Sequence, residues 1–320
     1  MDYILLTNPT PHNIHTIKTL RLILGPTAAG KTAFAIQLAK QLETEIVSCD
    51  SRQFYHELNI GVARPSPEEL AEAPHHFIAC RSVTDPYNVF SYEQEALSLL
   101  QDLFQTHDTV IAVGGSGLYI QALCQGIARL PDTDPDLRSQ LQEKLRNEGV
   151  ESLRSMLRTL DPDYYNTVDL ANGVRIQRAL EVTLTAGKPY SQLINQPPQP
   201  RPFNIVPTVI THPREILRQR IDRRVDQMMQ SGLEDEACQL FPLRHLNTLN
   251  TVGYKEFFSF WETNGGSPSP LTAIQRNLIA DTIRLNTWHY AKKQLTWLNK
   301  YAPLLANDQH QPAETTNTEK

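Results

Sequence analysis

Leu20-Arg-Leu-Ile-Leu-Gly-Pro-Thr-Ala-Ala-Gly-Lys-Thr32 decides the fold. The apolar run Thr19–Leu24 reads as a buried strand. It passes directly into Gly25–Thr32, which has the spacing GxxxxGK[ST], and then into AFAIQLAKQL (33–42), whose apolar spacing is helical. Strand, glycine loop and helix in this order form a phosphate cradle. The glycines Gly25 and Gly30 let the backbone curl round an anion, and the amides at the helix N-terminus point at it. Pro26, Thr27, Ala28 and Ala29 complete the loop. Lys31 supplies a mobile positive charge, and the Thr32 hydroxyl is the expected Mg2+ ligand.

Outward from this loop, strands and helices alternate. EIVSCD (45–50) and HDTVIAV (107–113) read as strands, and GGSGLYIQAL after the second opens a helix. This alternation is the signature of a parallel α/β sheet. The pattern changes at Leu130. The turn-rich stretch 131–135 leads into residues 136–187, which show helical periodicity and no good strand. NQPPQPRP (195–202) reads as a hinge, and FNIVPTVIT (203–211) restores a strand. The fold class expected is α/β, a P-loop NTPase-like parallel sheet core with an inserted all-helical domain. The divisions are a loose extension (1–19), a first part of the core (20–130), the insert (131–202), the core continuation with C-terminal helices (203–302) and a polar, disordered tail (303–320).

Composition narrows the function classes. The chain has 320 residues, 40% hydrophobic and 20% charged, which suits a folded globular protein of about two domains. No stretch approaches the roughly 18 apolar residues of a membrane span. Asp2 stands where a signal peptide would be basic, so a cytoplasmic location is expected. Cys49, Cys80, Cys124 and Cys238 show no CxxC spacing and read as thiols. The net charge of −5 conceals a basic section: residues 201–300 hold 13 Lys and Arg against 9 Asp and Glu. Local basic character of this kind can receive a polyanion despite an acidic total.

The chemistry concentrates at strand ends. No acidic residue follows the strand 109–113, which runs instead into Gly114-Gly-Ser-Gly117, and no guanine-reading NKxD motif is present. The cradle is therefore open to a diphosphate that is not a nucleotide. Asp50 follows the second strand and would face the crevice at the carboxyl edge of the sheet, where ligands bind. It reads equally as a base, an indirect Mg2+ ligand or a helix N-cap. Ser116 presents a hydroxyl to the same crevice unless its glycine turn is merely structural. Arg175 and Arg178, three apart on one helical face, suit a phosphate or a solvated salt bridge. Arg138 is ambiguous in the same way. His75-His76 reads as structural or surface rather than metal-binding.

Nine blocks in order, GPTAAGKT, DSRQFY, IGVARPSPEE, APHH, GGSGLYIQAL, LPDTDPDLR, RIQRALEV, GYKEF and YAKKQLTWL, resemble the tRNA dimethylallyltransferase family. They lie within residues 22–298. The family moves a dimethylallyl group from dimethylallyl diphosphate to N6 of the adenosine 3′ of the tRNA anticodon, giving N6-isopentenyladenosine. The resemblance implies that Gly25–Thr32 binds the diphosphate rather than ATP, with Mg2+ and Lys31 neutralising the departing pyrophosphate. It implies Asp50 as general base and Ser116, where the family usually has threonine, as a hydroxyl at N6 or the bridging oxygen. Asp50, Ser51, Arg52 and Gln53 match a segment contacting tRNA, as do Val174, Arg175, Ile176, Gln177 and Arg178. Arg138 matches a substrate-associated arginine. Gly253, Tyr254 and Lys255 fall in a further matching block and are expected at the substrate. The partners implied are the tRNA anticodon stem-loop and dimethylallyl diphosphate, with no membrane and the protein a monomer.

The sequence departs from the family at Asn172-Gly173, at Trp288 in place of a frequent arginine, and at Lys292-Lys293 in place of Lys-Arg, so less charge is expected near the tRNA. The readings set against the family's are an isopentenyltransferase acting on free adenine nucleotide, a small-molecule kinase and a non-catalytic RNA-binding protein. The helical insert disfavours the first. The second would need an ATP-reading lid and a phosphate acceptor, and ATP turnover without isoprenoid would support it; Asp50 with an intact cradle disfavours the third.

Overall fold

The computed structural model describes residues 18–132 and 134–305. Most of the expected extension and tail, residues 1–17 and 306–320, lies outside them. In chain order the elements are β1 (Thr19–Leu24), α1 (Lys31–Leu42), β2 (Ile46–Ser48), α2 (Pro67–Glu72), β3 (His75–His76), α3 (Val89–Thr106), β4 (Thr109–Gly114) and α4 (Gly117–Gln125). Five further helices follow: α5 (Pro135–Glu148), α6 (Val150–Leu160), α7 (Pro162–Tyr165), α8 (Gly173–Ala186) and α9 (Tyr190–Ile194). The chain then adds β5 (Asn204–Val209), α10 (Arg214–Gln230), α11 (Leu233–Leu240), α12 (Lys255–Thr263) and α13 (Ala273–Leu305). No helix among the described residues is long and apolar enough to cross a membrane.

The sheet has the order β3-β2-β4-β1-β5, and every pairing is parallel. β1 lies between β4 and β5 with both edges paired, and its side chains on both faces are covered, Leu20, Leu22, Ile23 and Leu24 being fully buried. That is why the sequence there is a continuous apolar run rather than an alternating one. Pro207 is tolerated in β5 because this strand is at the edge, where a missing N–H breaks no ladder on the open side. The strand formed by His75-His76 has no signal in the sequence, being two residues long. It extends the sheet beyond β2, and His76 Nε2 lies 2.6 Å from Glu45 Oε2. β1 starts inside the stretch assigned to the extension: Thr19 pairs with Thr109, and Lys18 Nζ donates to Asp108 Oδ1 at 2.7 Å.

The chain divides into two compact units. The sheet unit takes the residues up to Tyr87, Gln94–Cys124 and those from Arg201 onward; the helical unit takes Asn88–Glu93 and Gln125–Pro200. The helical unit thus begins before Pro131 and includes the first turn of α3. Local bonds account for this: the Ile127 amide donates to Glu93 at 3.1 Å, the Arg129 guanidinium lies 5.7 Å from the Phe90 ring centre, and the Gln199 amide donates to the Gln125 carbonyl at 2.7 Å.

The helical unit has its own core of Leu141, Leu153, Leu157, Ile176, Ala179 and Leu180. Full burial of each leucine contributes about 1.5–3 kcal/mol. Side chains cap the helices at their starts. Asp134 accepts from the Asp136 amide ahead of α5, and Asn172 from the Arg175 amide ahead of α8. Buried Asp161 accepts from the Tyr164 amide and from both the amide and hydroxyl of Ser191, tying α7 to α9. Asn172-Gly173 therefore forms an orderly helix start, and Gly187, at φ 64°, closes α8 in the left-handed conformation.

Candidate active site

Parallel register brings the sequence motifs together. Leu24 pairs with Gly114, and Ser48 with Val113, so the segments beginning at Gly25, Asp50 and Gly115 leave the same edge of the sheet. A cavity of about 570 Å³ opens there within the sheet unit, lined among others by Thr27, Asp50, Ser116, Arg224, Tyr290 and Lys293. Asp50 Oδ1 accepts from the Arg52 amide at 3.1 Å, closing a local turn. No helix starts there, which removes the N-cap reading. Ser116 Oγ accepts from the Ser51 amide at 3.1 Å, and the two serine hydroxyls lie 3.2 Å apart. The segments after β2 and β4 are thus fastened to each other at the cavity wall. Gly114 is obligatory for this approach: a Cβ there would lie 2.7 Å from the Cys49 backbone.

The loop Gly25–Thr32 is held from the C-terminal half of the chain. The Thr27 amide donates to Gln294 Oε1 at 2.8 Å, and Gln294 Nε2 donates to the Gly115 carbonyl at 2.9 Å. Arg220 Nε donates to the Ala28 carbonyl at 2.6 Å, and Arg224 Nη1 to Thr27 Oγ1 at 3.1 Å. These two arginines are four apart on α10 and so share one face. Lys31 Nζ donates within the loop, to the Pro26 carbonyl at 2.8 Å. Loss of solvent pushes its ammonium down to about 8, with Asp50 pulling the other way and Arg224 adding to the fall. Burial also lowers Arg224, against the pull of Asp50. Loss of solvent and the Asp50 charge push the Tyr290 phenol up to about 12. Arg220 and Arg224 lie in no quoted motif; the signal that bears on them is the local excess of positive charge in residues 201–300, whereas Tyr290 and Gln294 fall within YAKKQLTWL, which did not single them out.

A family model described as IPP transferase matches residues 53–301. The chain belongs to the IPP transferase family. It is 44% identical over 278 residues to the tRNA dimethylallyltransferase of Christiangramia forsetii, covering 87% of this chain and 89% of that one. It is 46% identical over 284 residues to tRNA dimethylallyltransferase 2 of Azobacteroides pseudotrichonymphae, covering 89% and 90%. Among solved structures it resembles the tRNA isopentenylpyrophosphate transferase of Bacillus halodurans, with a TM-score of 0.60, 32% identity and coverage of 89% and 88%.

In this IPP transferase the remaining candidate residues separate by burial. Ser51 and Arg52 line the cavity, and Arg52 Nη1 also donates to the Thr248 carbonyl at 2.7 Å. Gln53 turns away and donates to the Ala63 carbonyl at 3.0 Å. Gly253 and Lys255 line the cavity, but Tyr254 is fully buried, its hydroxyl donating to Glu236. The Tyr254 side chain thus packs into the core rather than lining the cavity; its ring lies against Gly61, where a Cβ would be 2.4 Å away. On α8, Val174 is 76% exposed and Arg175 is exposed, whereas Ile176 is fully buried in the helical core and Gln177 is buried against Glu181. Among these five, the accessible side chains are Val174, Arg175 and Arg178, because a helix of 3.6 residues per turn sets three- and four-residue neighbours on one face and turns Ile176 and Gln177 to the core. Arg138 is bound to Glu181.

Thr32 sits on the first turn of α1, and its hydroxyl has no hydrogen-bond partner among the described residues. One hydroxyl beside a phosphate cradle fits Mg2+, which takes most of its oxygens from water and substrate phosphates. Trp288 is buried between α10 and α13 against Leu217 and Ile221, with Arg214, Arg218 and Lys292 within 6.0 Å of its ring. The replacement of arginine here thus leaves three cations gathered around an indole.

Proposed function

We propose that this chain transfers a dimethylallyl group from dimethylallyl diphosphate to N6 of the adenosine 3′ of the anticodon in tRNA. The observation that carries the reading is the opening of the Asp50 carboxylate and a phosphate-loop residue, Thr27, into one cavity, together with Ser116. The N6 lone pair of adenine is delocalised into the ring, so N6 is a poor nucleophile. Alignment with the allylic carbon and removal of a proton during bond formation both help. In the step, N6 bonds to C1 of the allyl group and the C1–O bond breaks. Pyrophosphate leaves with that electron pair, and the N6 proton passes to Asp50. Ser116 orients N6 or the bridging oxygen.

Lys31, Arg220 and Arg224 face the phosphate loop and offset the charge that grows on pyrophosphate. Mg2+ held by Thr32 would supply further neutralisation of that charge. Water at the allylic carbon would hydrolyse the donor, so transfer requires that the two bound substrates exclude it. The helical unit presents Arg138, Arg175 and Arg178 to the anticodon stem-loop. The enzyme acts as a cytoplasmic monomer.

The test is a transfer assay with radiolabelled dimethylallyl diphosphate, Mg2+ and three acceptors: unmodified tRNA, its anticodon-loop adenosine-to-guanosine variant, and AMP. Label is expected in the unmodified tRNA alone. Label in AMP would replace the RNA acceptor with a free nucleotide. Asp50→Asn is expected to lower kcat about 10²–10⁴-fold; transfer at the wild-type rate would remove Asp50 as the base.

A further inference from the structure

Glu181 on α8 is 2% exposed, and its carboxylate gathers three side-chain donors. Arg138 of α5 donates Nε to Oε1 and Nη2 to Oε2, each at 3.1 Å. Gln177 donates Nε2 to Oε1 at 2.9 Å, and Arg178 Nη1 reaches Oε2 at 3.5 Å. The packing of α5 and α8 already rests on Leu141, Ile176, Ala179 and Leu180. A buried ion cluster adds little to such packing, and apolar residues of the same volume serve stability as well or better. Stability alone does not account for the cluster.

The geometry of Arg138 supplies a use for it. It engages Glu181 through its side edge, Nε and one hydrogen of Nη2. The other edge, both Nη1 hydrogens and the second of Nη2, is not used by Glu181, and the side chain is 49% exposed. That second edge can grip a phosphate in the bidentate manner while the first stays locked. Arg178 is 38% exposed beside it and shares the same carboxylate. Arg175 lies exposed one turn earlier.

We infer that Glu181 is a positioning residue that holds Arg138 and Arg178 as a pre-set fork for the phosphates of the RNA backbone. This rests on the reading above, in which the helical unit receives tRNA. Glu181→Gln separates positioning from plain electrostatics by sign. Removing a negative charge from a phosphate-binding surface strengthens RNA binding if the carboxylate merely offsets the arginines. If the carboxylate sets their geometry, binding weakens, because the amide offers one acceptor oxygen and turns a donor toward Arg138.

The experiment measures KM for tRNA and kcat at saturating tRNA in the full chain, with thermal melting in parallel. For Glu181→Gln, KM is expected to rise about tenfold with kcat nearly unchanged. Arg138→Lys keeps the charge and loses the fork; a similar rise is expected, and the double variant should add little to it. Tighter or unchanged tRNA binding in Glu181→Gln overturns the proposal. Should that variant melt too low to assay, Arg138→Lys decides alone, and an unchanged KM overturns it. Wild-type protein that transfers no label to tRNA would instead sink the functional reading itself.

Discussion

Lys31 carries a pH dependence that follows from its surroundings. Its ammonium is depressed from the ordinary lysine value to about 8, so the charged form prevails below that pH and is lost above it. The charged form is the one that attracts a diphosphate. In the free enzyme, kcat/KM for the donor should therefore hold steady up to about pH 8 and fall about tenfold per unit beyond it. Lys31→Arg stays charged throughout and should flatten that limb, although its planar head fits the loop less well. Profiles from pH 6.5 to 9.5 check this, and a limb unchanged in Lys31→Arg would assign it to another group. At this scale the site was legible where a side chain follows a strand within one motif, as Lys31, Asp50 and Ser116 do. Tyr254 and Ile176 show the limit. Each lies in a motif, yet each is buried, and a short motif does not state which of its side chains faces the core.

The elements explain what the motifs do not state, namely which side chains reach the phosphate loop. α10 reaches the phosphate loop through Arg220 and Arg224, and α13 reaches it through Gln294. These contacts span more than 190 positions of sequence, and no local spacing encodes them. α10 reads as an ordinary amphipathic helix with charges on its polar face. Which of those charges turn toward the loop depends on its packing against α13, through Leu217, Ile221, Trp288 and Ala291. Arg224 is the sharper test of this helix, since burial makes its charge count for more than a solvated one. Arg224→Ala should lower kcat/KM for dimethylallyl diphosphate about 10²–10³-fold. It should leave KM for tRNA within about twofold, since it touches the donor side alone. Arg224→Lys should recover part of the loss by restoring the charge without the hydrogen bond to Thr27. A donor kcat/KM that is indifferent to both variants would take α10 out of diphosphate binding.

Under the proposed function, the donor and the reacting adenosine meet in the sheet unit, and the arginines offered to the rest of the tRNA lie in a separately packed helical unit. The sheet unit contains every residue named for the donor and for proton transfer; the helical unit contains Arg138, Arg175 and Arg178 and packs around its own leucines. Damage to one core should therefore read out on one substrate. Leu157 is fully buried, and Leu157→Ala should cost the helical unit about 2–5 kcal/mol through lost contacts and the cavity left behind. KM for tRNA should rise, while the dissociation constant of inorganic pyrophosphate, measured by calorimetry on the same protein, should stay put. Salt should divide the substrates along the same line. RNA bound through several phosphates releases counterions, so its log KM should climb steeply with log salt. The donor presents one compact anion to a partly buried cradle and should respond more weakly. A chain of net charge −5 repels RNA at long range, which makes the tRNA term depend on a few placed arginines rather than on overall charge. If Leu157→Ala weakened pyrophosphate and tRNA in equal measure, or if both salt slopes matched, the division of substrates between the two units would be wrong.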